Sequence, residues 1–144
     1  MNKIEMAAGF FAGGFNCAQS VLAVFCEKYD MDRQQALKLA CGLGGGVRFG
    51  EICGAVSGGV LVVGLKYGQF AAEDKESKSE CYAKTTEFVN AFREINGSVV
   101  CRQILGYDIS KKEEYDIAAG KNLFKTLCAG MVKSAVSLLE ELGY

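Results

Sequence analysis

Three cysteines stand where a thiol could do chemistry. Cys17, Cys53 and Cys101 each fall just after a residue suited to starting a helix: Asn16, Gly50 and Ser98 respectively. Unpaired backbone N–H groups and the positive end of the helix dipole stabilise an anion at such positions. A thiol placed there is expected to ionise more readily and to be reactive near neutral pH. Arg48 and Arg102, close in sequence to Cys53 and Cys101, add to this expectation. Cys128 differs, because it lies mid-helix on an apolar stripe and could meet the other three only across the fold. The remaining three of the seven cysteines, Cys26, Cys41 and Cys81, lie on apolar helix faces without a cap and are expected to act as small hydrophobes.

Two kinds of chemistry suit four such thiols. In thiol–disulfide exchange, Cys53 would attack as the thiolate and Cys17 or Cys101 would resolve the intermediate, with no cofactor required. Alternatively, Cys17, Cys53, Cys101 and Cys128 would be the ligands of zinc or an iron–sulfur cluster. No C-x-x-C pair occurs, which removes both the usual source of a compact four-cysteine metal site and a thioredoxin-type motif. Any cooperation among these thiols must therefore come from the fold. The remaining alternative is a structural or interaction module with inert, buried thiols, dimeric through a glycine-faced helix.

Composition excludes several other classes. The chain has no histidine, so His-based metal sites, Cys-His catalysis and His-ligated haem are absent. Ser57 does not complete G-x-S-x-G, since Ala55 stands where the leading glycine belongs. The net charge of −1 and the lack of a basic patch interleaved with aromatics argue against nucleic acid. Glu5 interrupts the only candidate h-region of a signal peptide. The apolar run Ile52–Leu65 covers 14 residues, against roughly 20 for a membrane span. A cytoplasmic protein that does not span the membrane is expected, and in that compartment the cysteines are not a static disulfide framework.

The elements that must position these thiols read as helices throughout. No strand-like alternation and no internal repeat appear, and proline is absent. The expected fold is all-α, a single domain over residues 1–144, built as a compact bundle of about six to seven helices. A weak helix covers residues 3–12. Asn16, with Gln19 in capping-box spacing, starts a helix to about Tyr29 whose apolar face is Val21, Leu22 and Phe25. Asp32 caps a third, carrying Ala36, Leu37, Ala40 and Cys41. More than half of the 18 glycines lie between Cys41 and Gly68. The Gly44–Gly46 run breaks the chain, and a central helix is expected from Gly50 to about Tyr67. Gly54, Gly58, Gly64 and Gly68 would form a face for close packing. A long helix follows with Cys81, Thr85, Phe88, Phe92 and Ile95 inward, then a short one capped by Ser98. GYDISKKEEYD reads as a polar turn region. The last helix, about Lys121 to Leu142, is expected to bury Phe124, Leu127, Cys128, Met131, Ala135 and Leu138.

The segment GEICGAVSGG, Gly50–Gly59, resembles the CGAxxG signature of the C_GCAxxG_C_C family, described as redox-active. The likeness extends to NCAQSVL around Cys17, GLGGG before Cys53, GLKYG after it, GSVVCRQILGYD around Cys101 and FKTLCAGMV around Cys128. The order Cys53-Gly54-Ala55 differs from the Gly-Cys-Ala written in the family name. The resemblance implies that the four hallmark cysteines are Cys17, Cys53, Cys101 and Cys128, with Cys26, Cys41 and Cys81 outside the pattern. It also implies a helical domain, often encoded near transporter genes, with an unknown redox partner and no established reaction. Association with a transport system follows only from that resemblance.

Overall fold

A computed structural model describes residues 1–144. It contains eight α-helices: α1 Lys3–Ala12, α2 Cys17–Ala23, α3 Arg33–Ala40, α4 Gly54–Tyr67, α5 Lys75–Asn96, α6 Cys101–Leu105, α7 Lys112–Gly120 and α8 Ala129–Glu141. The expectation of six to seven helices is one short. The missing element is α7, whose polar sequence hid it: of its residues only Ala118 is buried, so no apolar stripe marks it.

Where the sequence carries a capping residue, the helix begins as expected. Asn16 accepts a hydrogen bond from Gln19 N–H, and the Gln19 side chain accepts from Asn16 N–H, at 3.0 and 2.9 Å. Asp32 accepts from the N–H groups of Gln34 and Gln35 at the start of α3. Asn2 and Glu5 form a second capping box on α1. Ser98 is the exception. Its hydroxyl bonds Val100 N–H and the Gln103 side chain, while Val100 is the residue at the helix boundary.

The main core gathers α1, α2, α4, α5 and α8. Val21, Leu22, Phe25, Val62, Val63, Phe88, Phe92, Val132 and Val136 are fully buried there. Burial of each large side chain contributes about 1.5–3 kcal/mol. Three expected core positions differ, one of them Cys41, which is exposed at the end of α3. Ile95 is exposed, because Asn96 takes the inward place and donates to Ser134 Oγ on α8 at 2.9 Å. Leu127 also faces solvent, since residues 124–128 form a π-helical turn that shifts the stripe before α8 begins.

α4 is central, lying against α2, α5 and α8. Its glycines act unequally. A Cβ on Gly58 would lie 2.7 Å from Ala18 O, and one on Gly54 would lie 3.1 Å from Cys17 Cβ. Those two glycines allow α2 to approach closely and cover that part of the glycine face. Gly59 makes room for the Phe88 ring, whereas a Cβ on Gly64 would touch nothing. α4 has a mean hydropathy suited to burial but is no membrane span: no helix is long and apolar enough to cross a membrane.

A smaller cluster of Cys101, Leu105, Ile109 and Ala118 sits apart from the main core, with Phe124 and Cys128 packed against it. It is tied to the main body through a two-residue antiparallel bridge, Ile52 opposite Val100. Cys53 N–H donates to Val99 O at 2.7 Å, and Cys101 N–H donates to Glu51 O. Arg102 reinforces the junction, pairing with Glu51 at 2.8 Å and donating to Gly50 O at 3.1 Å.

Candidate functional site

The four cysteines converge on the seam between these two clusters. Cys53 belongs to the main core and Cys17 packs against it, while Cys101 belongs to the smaller cluster and Cys128 packs against that. Each is held by a different local device. Cys17 is the first residue of α2, fixed by the Asn16 cap and pressed against Gly54. Cys53 is not in the first turn of a helix from Gly50, as expected, but is itself the N-cap residue of α4. Cys101 opens α6, and Cys128 ends the π-helical turn before α8.

The helix begins at Gly54 because residues 45–48 are wound the wrong way. Gly45, Gly46, Val47 and Arg48 have φ of 67, 64, 57 and 65°, a left-handed turn that includes two side-chain-bearing residues. Such conformations cost roughly 1–2 kcal/mol per non-glycine residue. The turn is held from both sides. A Cβ on Gly46 would collide with the backbone of Glu51, whose N–H bonds Gly46 O at 3.2 Å. Gly44 makes room for Asn16, whose side chain also donates to Cys41 O at 2.8 Å. The same asparagine therefore starts α2 and anchors the glycine loop.

This turn carries Arg48 to a cavity of about 430 Å³ that also exposes Cys17 and Cys128. Phe11, Phe15, Tyr115 and Phe124 supply much of its apolar wall, and Lys125 stands at it as a second cation. Tyr115 and Phe124 pack with ring centroids 5.0 Å apart. Cys53 and Cys101 do not line the cavity. They are 6 % and 8 % exposed and lie behind it.

Electrostatics separate the thiols in a way the sequence did not suggest. Burial pushes the Cys53 thiol up to about 11, although the N–H groups of Ala55 and Val56 favour its thiolate. Burial likewise pushes Cys101 up to about 12, aided by the neighbouring Cys53 and Cys128 and opposed by Arg48. The expected acidification at three helix starts is thus reversed. The reason is that desolvation of a buried thiolate, joined at Cys17 by the hydrogen bond to Cys128, outweighs what a single helix end returns. Cys17 and Cys128 are neighbours that shift each other's acidity. Hydrogen bonding from the Cys17 S–H lowers the Cys128 thiol below its ordinary value against the cost of burial, and Cys17 is correspondingly raised.

No three Cys, Asp or Glu side chains are arranged so that they could hold a metal ion. All seven cysteines are free.

The family model described as Putative redox-active protein (C_GCAxxG_C_C) matches residues 15–142. The chain belongs to this family. No curated protein and no solved structure matches it. The match spans all four cysteines at the seam, and it spans Cys26, Cys41 and Cys81 as well. Cys26 is buried in the main core, Cys41 is exposed and Cys81 is half-buried on α5. None of these three lines the cavity. Sequence reasoning noted Arg48 only as a neighbour of Cys53 and passed over Lys125, Phe15 and Tyr115. No periodic signal marks them, because a left-handed turn, a loop, a polar helix and a π-helical turn bring them to one place.

Proposed function

We propose that this protein carries out thiol–disulfide exchange with Cys17 and Cys128 as the working pair and Cys53 and Cys101 buried beside them. The observation that carries this reading is that Cys17 and Cys128 share the wall of one open cavity, with the Cys128 thiol lowered by its neighbour Cys17. The attacking role first assigned to Cys53 passes to Cys128, since exchange requires both a thiolate and access to the partner sulfur.

The balance is simple. The Cys128 thiolate attacks one sulfur of a disulfide, the S–S bond breaks, and one substrate thiolate leaves. The Cys17 thiol then loses its proton to solvent and attacks the Cys128 sulfur of the mixed disulfide. The second substrate thiolate leaves, and a Cys17–Cys128 disulfide remains. Two electrons have passed from the protein to the substrate sulfurs, and an external dithiol reverses the sequence.

The test is oxidation by dithiodipyridine under anaerobic conditions, followed by alkylation and peptide mapping. A Cys17–Cys128 disulfide that dithiothreitol removes is the expected product. Oxidation confined to other cysteines, or an unchanged redox titration in Cys128→Ser, would sink the assignment.

A further inference from the structure

The cavity beside the Cys17–Cys128 pair has a chemical character of its own. The protein as a whole carries a net charge of −1, yet the charged groups lining this cavity are Arg48 and Lys125, with no carboxylate among them. Neither cation belongs to an ion pair: those formed are Arg33–Glu27, Arg102–Glu51, Lys111–Glu114 and Lys112–Asp116. Arg48 makes one long hydrogen bond, 3.5 Å to Gly44 O. Its guanidinium folds back over Gly45, where a Cβ would lie 2.5 Å from Nη1. A backbone wound left-handed at a residue with a side chain persists only where the surroundings impose it, and such positions cluster at ligand sites. Here the imposed conformation brings a free cation to a wall of aromatic rings.

We propose that this cavity binds a low-molecular-weight disulfide carrying an anionic group on an apolar body, with the charge on Arg48 and Lys125 and the S–S bond facing Cys128. Its volume of about 430 Å³ lies within the range of about 300–1,000 Å³ that accommodates small organic molecules. Phe11, Phe15 and Phe124 give the body of the molecule an apolar seat, and two unpaired cations recognise a carboxylate or similar anion. The inference rests on the exchange reading for the reaction but not for the binding. Atoms and electrons balance as already given: both halves of the substrate leave as thiolates and the protein holds the new disulfide.

The test has two arms on the full chain. In the first, nitrobenzoate and the neutral nitrobenzamide, neither containing sulfur, are titrated against the protein by NMR. Nitrobenzoate is expected to bind about tenfold more tightly, with shifts centred on Phe15, Tyr115 and Phe124, from two partly exposed charge contacts. Lys125→Gln, on an exposed side chain of the π-helical turn, should remove several-fold of that preference, and addition of Arg48→Gln the rest. Equal binding of the two probes, or a preference unchanged in both variants, would overturn the proposal. In the second arm, anionic dithiobis(nitrobenzoate) and neutral dithiodipyridine react with the protein, each rate normalised to that of free cysteine. A preference of about tenfold for the anionic disulfide at Cys128, abolished by the double substitution, is the expected result. If nitrobenzoate binds selectively but neither disulfide modifies Cys17 or Cys128, the anion site stands, and the disulfide ligand falls with the exchange reading. If both disulfides oxidise the pair without regard to charge, exchange stands and the ligand class falls.

Discussion

The seam between the main core and the smaller cluster is crossed twice, by different means. At one crossing the backbones of residues 50–53 and 99–101 are hydrogen-bonded to one another, and Cys53 and Cys101 ride on that junction. At the other, α2 and the π-helical turn before α8 meet only through side chains, with Cys17 and Cys128 at an open cavity. The first crossing buries its thiols and holds them protonated. The second leaves its thiols accessible and favours ionisation of one of them. Four cysteines of one family pattern are thus divided by their surroundings into a buried couple and an accessible couple. The type of residue does not predict which is which, because burial and contact decide a thiol's pKa.

Alkaline pH should break this division most strongly. The Cys53 and Cys101 thiols are held above their ordinary 9.0, at about 11 and about 12. The unfolded chain therefore releases protons from these groups first as pH rises. Their protonated burial is fully compatible with folding below pH 9, and stability declines from about pH 9 until the folded values are passed. The slope is roughly 1.4 kcal/mol per pH unit for each thiol in that window. Chemical denaturation between pH 8 and pH 11 checks this, and Cys53→Ala should flatten part of the decline. A flat profile in the parent protein would contradict the buried assignment.

The packing beneath both crossings is the next target. Gly58→Ala places a methyl 2.7 Å from Ala18 O and must push α2 away from α4. A loss of about 1–3 kcal/mol is expected from denaturant titration. Because α2 carries Cys17, the same change should also slow formation of the Cys17–Cys128 disulfide. A stable variant with normal exchange would show that the close approach of these helices is dispensable.

Alkylation kinetics sharpen the contrast directly. At pH 7, iodoacetamide should modify Cys128 about tenfold or more faster than Cys53 or Cys101, since the thiolate is the nucleophile and each pKa unit is tenfold. Cys17→Ala removes the S–H that favours the Cys128 thiolate, so the pH midpoint for Cys128 modification should move upward. Mapping of alkylated peptides settles the order, and Cys53 reacting first would reverse the assignment of roles.

The smallest effect concerns the other half of α4. Gly64 faces open space with ordinary helical backbone, so Gly64→Ala should stabilise the protein by roughly 0.5–1 kcal/mol. Unaltered thiol kinetics in that variant would confirm that only the Gly54–Gly58 portion positions the site. A loss of stability would mean that the Gly64 face meets something in solution.

Much of the architecture was legible in the sequence by itself. Asn16–Gln19 and Asp32 announced two helix starts, and the Phe88–Phe92 spacing announced the buried face of α5, because capping and helical periodicity are local properties. The glycine run announced a break before α4, and the motifs flanking the cysteines announced the family. Tertiary structure alone decided the rest. α7 had no apolar stripe to reveal it, and the left-handed turn at Gly45–Arg48 defies the preferences of its own residues. Only contacts from Glu51, Asn16 and the Ile52–Val100 bridge explain why that turn exists. The chemistry divides along the same line. A helix start is written in the sequence, but the acidity of a thiol placed there depends on how much water the fold removes and which neighbour donates a hydrogen bond to it. Neither quantity exists until α2, α4, α6 and the turn before α8 have met.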